Sequence, residues 1–132
     1  MSNWNSKGWT ENDNDNFYSL SKWRKLRKYK IDANPICELC GQYGIINPAA
    51  IVDHIISRDV APELELELDN LQSLCEDYSG GSNCHAKKTA QTRNVKTIVD
   101  YYKEMINGKL QYICTESSKF KLFKLIKQKG LI

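Results

Sequence analysis

Residues 51–56 read IVDHII, an aspartate and a histidine side by side within a run of aliphatic residues. A run of this length reads as a short buried strand, and a strand points neighbouring side chains to opposite faces. The polar pair is therefore a placement that a purely structural strand has no use for. The chain has only two histidines, and the other, His85, directly follows a cysteine in NCHAKKT at 83–89. The question is whether Asp53, His54 and His85 belong to one site.

The cysteines frame that question. There are five, and four fall into two groups on either side of the Asp-His strand: Cys37 and Cys40 as a CxxC, then Cys75 and Cys84. With 132 residues the chain reads as a single domain over 17–132, with a core too modest to carry its stability alone. Residues 1–16, rich in Asn, Asp and Ser, read as a disordered lead. No apolar run is long enough to span a bilayer, and the N-terminus lacks the apolar segment of a signal peptide, so a cytoplasmic protein is the expectation. In a reducing compartment clustered cysteines favour metal over disulfides. Four thiolates in two groups supply what a closed tetrahedral zinc site needs. Eight residues, EDYSGGSN, separate the second pair, and two glycines allow that insert to double back. Cys114 stands apart and reads as a free thiol whose replacement by serine should cost little.

Net charge is only +3, but its distribution is uneven. Residues 22–30, KWRKLRKYK, hold six basic residues in nine, whereas 59–86 contain no Lys or Arg and seven acids. From Lys87 onward, eleven basic residues face three acidic ones. Basic flanks around an acidic middle suit a protein that grips phosphates at its edges. Candidate contacts are Arg24, Lys25, Arg27 and Lys28 in the first flank and Lys87 and Lys88 in the second.

The pattern predicts a helix capped by Ser19 or Ser21 and running to about Ile31, with Trp23, Leu26 and Tyr29 as its apolar stripe. Pro35 ends it. CELCG predicts a tight turn presenting two thiolates, with Gly41 easing the backbone. AAIVDHII is the first strand, 57–69 a connecting loop, and NLQSLC a second strand. A helix opens at Cys84. An amphipathic helix follows, with Val95, Ile98, Val99, Tyr102 and Ile106 on one face, and Gly108 stops it. SSKFKLFKLIKQKG predicts a last basic helix capped by Ser117 or Ser118. One short basic helix binds membranes poorly, so no membrane partner is expected.

With the cysteines clamping the segments around the strand, His85 can reach back towards Asp53. A carboxylate oxygen and an imidazole nitrogen hold a divalent cation while leaving positions open for water and phosphate. His54, on the other side of the strand, can take a proton from an attacking water. Asn70, opening the second strand, can bridge loop backbone and hold His54 in orientation. A rigid strand holds such geometry better than a loop.

The ordered set FYSLSKWRKLRKYKIDANPICELCG, AIVDHII, DNLQSLC and CHAKKT resembles the HNH endonuclease family, and particularly its small members from tailed bacteriophages. The resemblance covers 17–94 and implies an α+β fold: a ββα-metal core at about 35–95, stapled by the four-cysteine zinc site and flanked by N- and C-terminal helices, the C-terminal extension being 95–132. It implies His54 as general base, Asn70 as the family's N, and Asp53 and His85 as ligands of one catalytic cation (Mg²⁺ or Mn²⁺, with Ni²⁺, Co²⁺ or Zn²⁺ as substitutes). Lys88 matches a basic residue that contacts the scissile phosphate. Two departures stand out: eight residues rather than two between the last two cysteines, and an acidic segment between His54 and Asn70 without the usual glycine. The expected activity is DNA phosphodiester hydrolysis by a one-metal mechanism, in phage DNA packaging beside a terminase, in the bacterial host cytoplasm. The alternatives are a non-catalytic zinc-stabilised DNA-binding adaptor, which has no use for Asp53 or His85, and a host restriction or defence nuclease. Nothing in the sequence sets the oligomeric state.

Overall fold

Two four-residue strands, β1 (Ile51–His54) and β2 (Leu71–Leu74), pair antiparallel at the centre of the molecule. The computed structural model describes residues 16–76, 82–108 and 111–132. The proposed lead at 1–16, apart from Asn16, and most of the insert between Cys75 and Cys84 lie outside the described residues. In the register, Ile51 faces Leu74, Val52 faces Ser73, Asp53 faces Gln72 and His54 faces Leu71. Side-chain alternation then gives the hairpin two unlike faces. One carries Val52, His54 and Leu71; the other carries Ile51, Asp53, Gln72 and Leu74.

Helix α1 (Ser21–Ala33) covers the first face. Phe17 and Trp23 pack with Val52 and Leu71 in one buried cluster. Neither serine caps this helix: Leu20 occupies the N-cap with no side-chain bond, and Ser19 Oγ donates back to Asn16 O at 2.9 Å. Of the expected stripe, Trp23 is buried and Leu26 half-buried, but Tyr29 is exposed, because the inward face continues through Lys30 and Ile31 instead. Asn34 closes α1 one residue before Pro35, its N–H donating to Lys30 O.

The other face meets the cysteine cluster and α3 (Cys84–Thr92). CELCG forms a single helical turn, α2 (Glu38–Gly41), with Cys37 Sγ accepting from Cys40 N at its start. Gly41 ends this turn without a left-handed backbone; the residue that needs one is Gly44, at φ 76°. Glu38 ties three elements together, accepting from Ser73 N at 2.7 Å and pairing with Lys30 at 3.0 Å.

The long β1–β2 connection contains two 3-10 turns, Pro62–Leu64 and Leu68–Asn70, and no strand. Its Glu-Leu alternation resolves into one core residue, Leu64, with Leu66 and Leu68 partly exposed. Helices α4 (Ile98–Asn107) and α5 (Glu116–Gln128) complete the fold. Tyr101 and Met105 are the buried positions of α4, with Ile98 and Tyr102 half-buried beside them. Val99 and Ile106, expected on the apolar face, are exposed. Gly108 closes α4 in the left-handed conformation, which glycine adopts without the strain a side chain brings. Thr115, not Ser117 or Ser118, caps α5 by accepting from Ser118 N at 3.1 Å. Leu122 and Ile126 of α5 are fully buried against Ile55, Ile56, Ala61 and Leu64. Residues 95–132 thus supply seven of the eleven buried members of the main cluster, so this cluster does not form without them. Among the described residues no helix is long and apolar enough to cross a membrane.

Candidate metal and catalytic site

Cys37, Cys40, Cys75 and Cys84 are all buried, with their sulfurs within 4.8 Å of one another. Cys40 Sγ lies 3.7 Å from Cys75 Sγ and 3.5 Å from Cys84 Sγ. Those separations are far too long for disulfides. They match the edge of a tetrahedron with Zn–S bonds of about 2.3 Å, which is roughly 3.8 Å. Burial acts to raise the Cys40 thiol, but hydrogen bonds from Ser82, Asn47 and the neighbouring cysteines outweigh it and hold Cys40 at about 6. Burial pushes Cys37 and Cys84 upward. Four thiolates cannot share this space without a compensating cation, and the donor set and spacing fit zinc.

One residue along, the same helix start faces a different chemistry. Asn83, in the left-handed conformation at φ 60°, caps α3 by accepting from Ala86 N. This sets Cys84 into the sulfur cluster and His85 towards Asp53. His85 Nε2 and Asp53 Oδ1 are 3.8 Å apart, too far for a hydrogen bond and within the roughly 4.2 Å that two metal–ligand bonds of about 2.1 Å can span. On its other side, His85 Nδ1 lies 2.8 Å from Glu76 Oε2. A carboxylate accepts, so in the neutral ring Nδ1 carries the hydrogen and Nε2 presents a lone pair to the Asp53 oxygen. Two lone pairs facing across 3.8 Å fit a divalent cation. Glu76 was not singled out in the sequence; its signal was its place directly after Cys75, which the zinc spacing holds close to His85.

The second oxygen of Asp53 is already engaged. Lys88 Nζ sits 3.0 Å from Oδ2 and donates to His54 O at 2.6 Å, and Gln72 Nε2 donates to the same Oδ2 at 3.2 Å. Lys88 is 4% exposed. Its ammonium joins α3 to β1 and pairs with Asp53, while its side chain lines the same cleft as Asp53 and His54. Lys87 is exposed and lies over the Tyr112 ring at 5.1 Å.

His54 is buried on the opposite face, its ring stacked on Trp23 with centroids 4.9 Å apart and planes 22° apart. Its Nε2 lies 2.9 Å from the carbonyl oxygen of Glu65. A carbonyl only accepts, so Nε2 carries the hydrogen and Nδ1 keeps its lone pair. Burial lowers the His54 pKa, with the Glu65 carbonyl and Asp53 opposing. Asn70 does not touch the ring. Its Oδ1 accepts from Ile56 N at 2.9 Å, and its Nδ2 donates to Ile56 O at 3.0 Å and Leu64 O at 3.3 Å. It fixes the loop next to Glu65, so its hold on His54 runs through backbone.

Asp53, His54 and Lys88 line one cleft of about 750 Å³, whose outer walls include Arg58, Arg93 and Lys96. His85 adjoins this cleft through Asp53. Arg24, Lys25, Arg27 and Lys28 of α1 do not line it. Lys28 pairs with Asp32 at 2.8 Å on the helix surface.

A two-stranded hairpin and a helix, with a carboxylate, an imidazole pair and a sulfur clamp at their junction, define a small metal-dependent nuclease core. A family model described as HNH endonuclease matches residues 37–91. Among solved structures, the HNH endonuclease of the deep-sea thermophilic bacteriophage GVE2, crystallised with manganese ion, is similar. It shares 33% identity and a TM-score of 0.56 over 64% of this chain and 86% of that one. No curated protein matches. The chain belongs to the HNH endonuclease family.

Proposed function

We propose that residues 17–132 form a single nuclease domain that hydrolyses DNA phosphodiester bonds with one divalent cation, His54 acting as general base. The observation that carries this reading is the pairing of roles on two faces of one strand: Asp53 Oδ1 faces His85 Nε2 at 3.8 Å, while His54, with Nε2 held by Glu65 O, lines the same cleft as Asp53. A cation held by Asp53 and His85, Mg²⁺ or Mn²⁺ by their oxygen and nitrogen donors, supplies Lewis-acid stabilisation of charge developing on the phosphate.

The remaining work falls to the chain. His54 Nδ1 takes a proton from water as the water oxygen bonds to phosphorus and the bond to the 3′ oxygen breaks; the departing 3′ oxygen takes a proton from solvent, leaving 5′-phosphate and 3′-hydroxyl ends. Trp23 and the Glu65 carbonyl fix the plane and tautomer of the ring, so little reorganisation is needed at the moment of transfer. Glu76 orients His85, as a carboxylate behind a ligating histidine does. Lys88 and Gln72 hold Asp53 to one rotamer with one oxygen outward.

The phage neighbour supports a place in phage DNA processing, in the host cytoplasm, and we assign the chain to packaging alongside a terminase. The test is a plasmid and linear DNA cleavage assay with a panel of Mg²⁺, Mn²⁺, Ni²⁺, Co²⁺ and Zn²⁺. Cleavage with at least one, giving 5′-phosphate ends, is expected. No cleavage with any of them, at one zinc per chain, would leave a zinc-stabilised DNA-binding adaptor as the reading.

A further inference from the structure

Sequence offers the basic flank of α1 together with Lys87 and Lys88 as DNA contacts, and the structure puts further cations beside the chemistry. Lys88, Thr89, Thr92, Arg93 and Lys96 all line the 750 Å³ cleft that holds Asp53 and His54. Lys88, Thr89 and Thr92 share one face of α3 by their three- and four-residue spacing, and Arg93 and Lys96, just past its C-terminus, line the same wall of the cleft. At the inner end of this wall Lys88 is buried and spent on Asp53. At the outer end Arg93 and Lys96 are exposed, and among the described residues neither has an ion-pair or hydrogen-bond partner. Arg58, on the opposite wall, is engaged by Glu65 at 3.1 Å and lies over the Phe17 ring at 3.9 Å.

The α1 cations differ in their surroundings. Lys30 is buried on Glu38, Lys28 is paired with Asp32, and none of the α1 basic residues faces the cleft. On α5, Lys119 pairs with Glu116 and Lys129 with Glu67. Arg93 follows His85 by eight residues, about 12 Å along a helix axis at roughly 1.5 Å per residue. Duplex DNA carries a phosphate about every 3.4 Å of axis per strand. A cation about 12 Å from the metal ligand therefore meets a phosphate a few nucleotides from the scissile one, not the scissile phosphate itself.

We infer that Arg93 and Lys96 form a backbone clamp for the nucleic-acid strand entering the cleft, and that this clamp, not the basic run on α1, sets the electrostatic part of substrate affinity. The inference rests on the nuclease reading and adds to it a second phosphate subsite with its residues. Both side chains are exposed, so neutralising them leaves the fold intact.

The test compares Arg93→Ala/Lys96→Ala with the α1 quadruple Lys22→Ala/Arg24→Ala/Lys25→Ala/Arg27→Ala. Each is placed in a His54→Ala background, which prevents cleavage while a labelled duplex is titrated by fluorescence anisotropy over a salt series. The slope of log affinity against log salt becomes shallower by about 0.9 for every phosphate the protein no longer neutralises. The pair should flatten that slope by about 1 to 2 and weaken binding at moderate salt by about tenfold or more, with the quadruple changing less. In the His54-intact protein the pair should raise KM for DNA with little change in kcat. It should leave hydrolysis of bis(p-nitrophenyl) phosphate, which offers a single phosphate, unchanged. An unchanged salt slope in the pair, or a larger loss in the α1 quadruple, overturns the clamp. Failure of the wild type to cut either substrate overturns the nuclease reading instead, and the binding series still decides the clamp.

Discussion

Two polar clusters share the second face of one hairpin, and they are built in opposite ways. The cysteine cluster is sealed: four sulfurs at about zero exposure, enclosed by Leu39, Leu74 and Ile51, with its four donors accounting for a full tetrahedral shell. The Asp53–His85 pair is incomplete: two facing donors at a cleft edge, with Asp53 anchored through its other oxygen. Cys84 and His85 are consecutive residues of the same helical turn, so the sealed cluster positions the open one. A closed shell contributes folding energy, and an open one leaves room for water and substrate. On the proposed mechanism the division between stability and chemistry falls between two adjacent residues.

The largest expected effect breaks the sealed side. Cys75→Ser or Cys84→Ser removes a ligand from a site of the kind whose apparent binding energy is about 10–16 kcal/mol, so the protein should lose its cooperative unfolding transition, measured by circular dichroism. A chelator strong enough to strip zinc should do the same to the wild type. A native transition in metal-free protein would mean that the hydrophobic clusters suffice without the clamp.

Breaking the open side should separate stability from activity, provided the substitution respects Lys88. Asp53→Ala leaves a buried ammonium unpaired and should cost about 3–5 kcal/mol, whereas Asp53→Asn keeps the shape and a hydrogen-bond acceptor for Lys88. We expect Asp53→Asn to weaken Mn²⁺ binding by calorimetry at little cost in Tm, with activity partly restored by excess metal. Equal Mn²⁺ affinity in the variant would remove Asp53 from the ligand set.

The C-terminal helix sharpens the contrast from outside. Leu122→Ala empties a fully buried position in the main cluster and should cost about 2–5 kcal/mol, read by urea denaturation. A cost below about 1 kcal/mol would show that residues 95–132 are separable after all.

The pH dependence follows from His54. Burial holds its pKa below the usual value of about 6.5, so the ring stays a free base at neutral pH and cleavage should decline only on the acid side, with a midpoint under about 6.5. Stability moves with it: the unfolded chain binds this proton more readily, so unfolding becomes easier as pH falls from about 6.5 through the folded value. An acid limb centred above about 6.5 in kcat would point to another base. The smallest effect is at Cys114, whose thiol burial raises to about 12. It should resist alkylation at neutral pH in the folded protein. Its place beside Met105 in the main cluster makes serine there cost about 1–3 kcal/mol, more than its isolation in the sequence suggests.

The site was legible where chemistry needs particular residue types. Two cysteine pairs, a strand-borne Asp-His and a histidine beside the last cysteine leave few alternative readings. What escaped was carried by backbone or by position. The partner that sets the His54 tautomer is the Glu65 carbonyl, which any residue could supply. Lys88 entered as a phosphate contact through the family resemblance, and only the fold reveals the carboxylate beside it. Leu122 and Ile126 were hidden among lysines in KFKLFKLIKQK, so a core helix read as a basic flank. The left-handed turn after the first knuckle belongs to Gly44 and not Gly41, because the CxxC closes as a helical turn before the chain reverses.

On the proposed mechanism the two sites on one hairpin face do separate jobs, and His54 acts only in the chemical step. The most direct measurement takes His54→Ala and wild type side by side and determines bound zinc, Mn²⁺ affinity and DNA cleavage on the same preparations. Expected are about one zinc per chain and near-equal Mn²⁺ affinity in both, with cleavage by the variant reduced by roughly 10²–10⁴ and not restored by added metal. Cleavage by His54→Ala at the wild-type rate, with both metals retained, would contradict the mechanism.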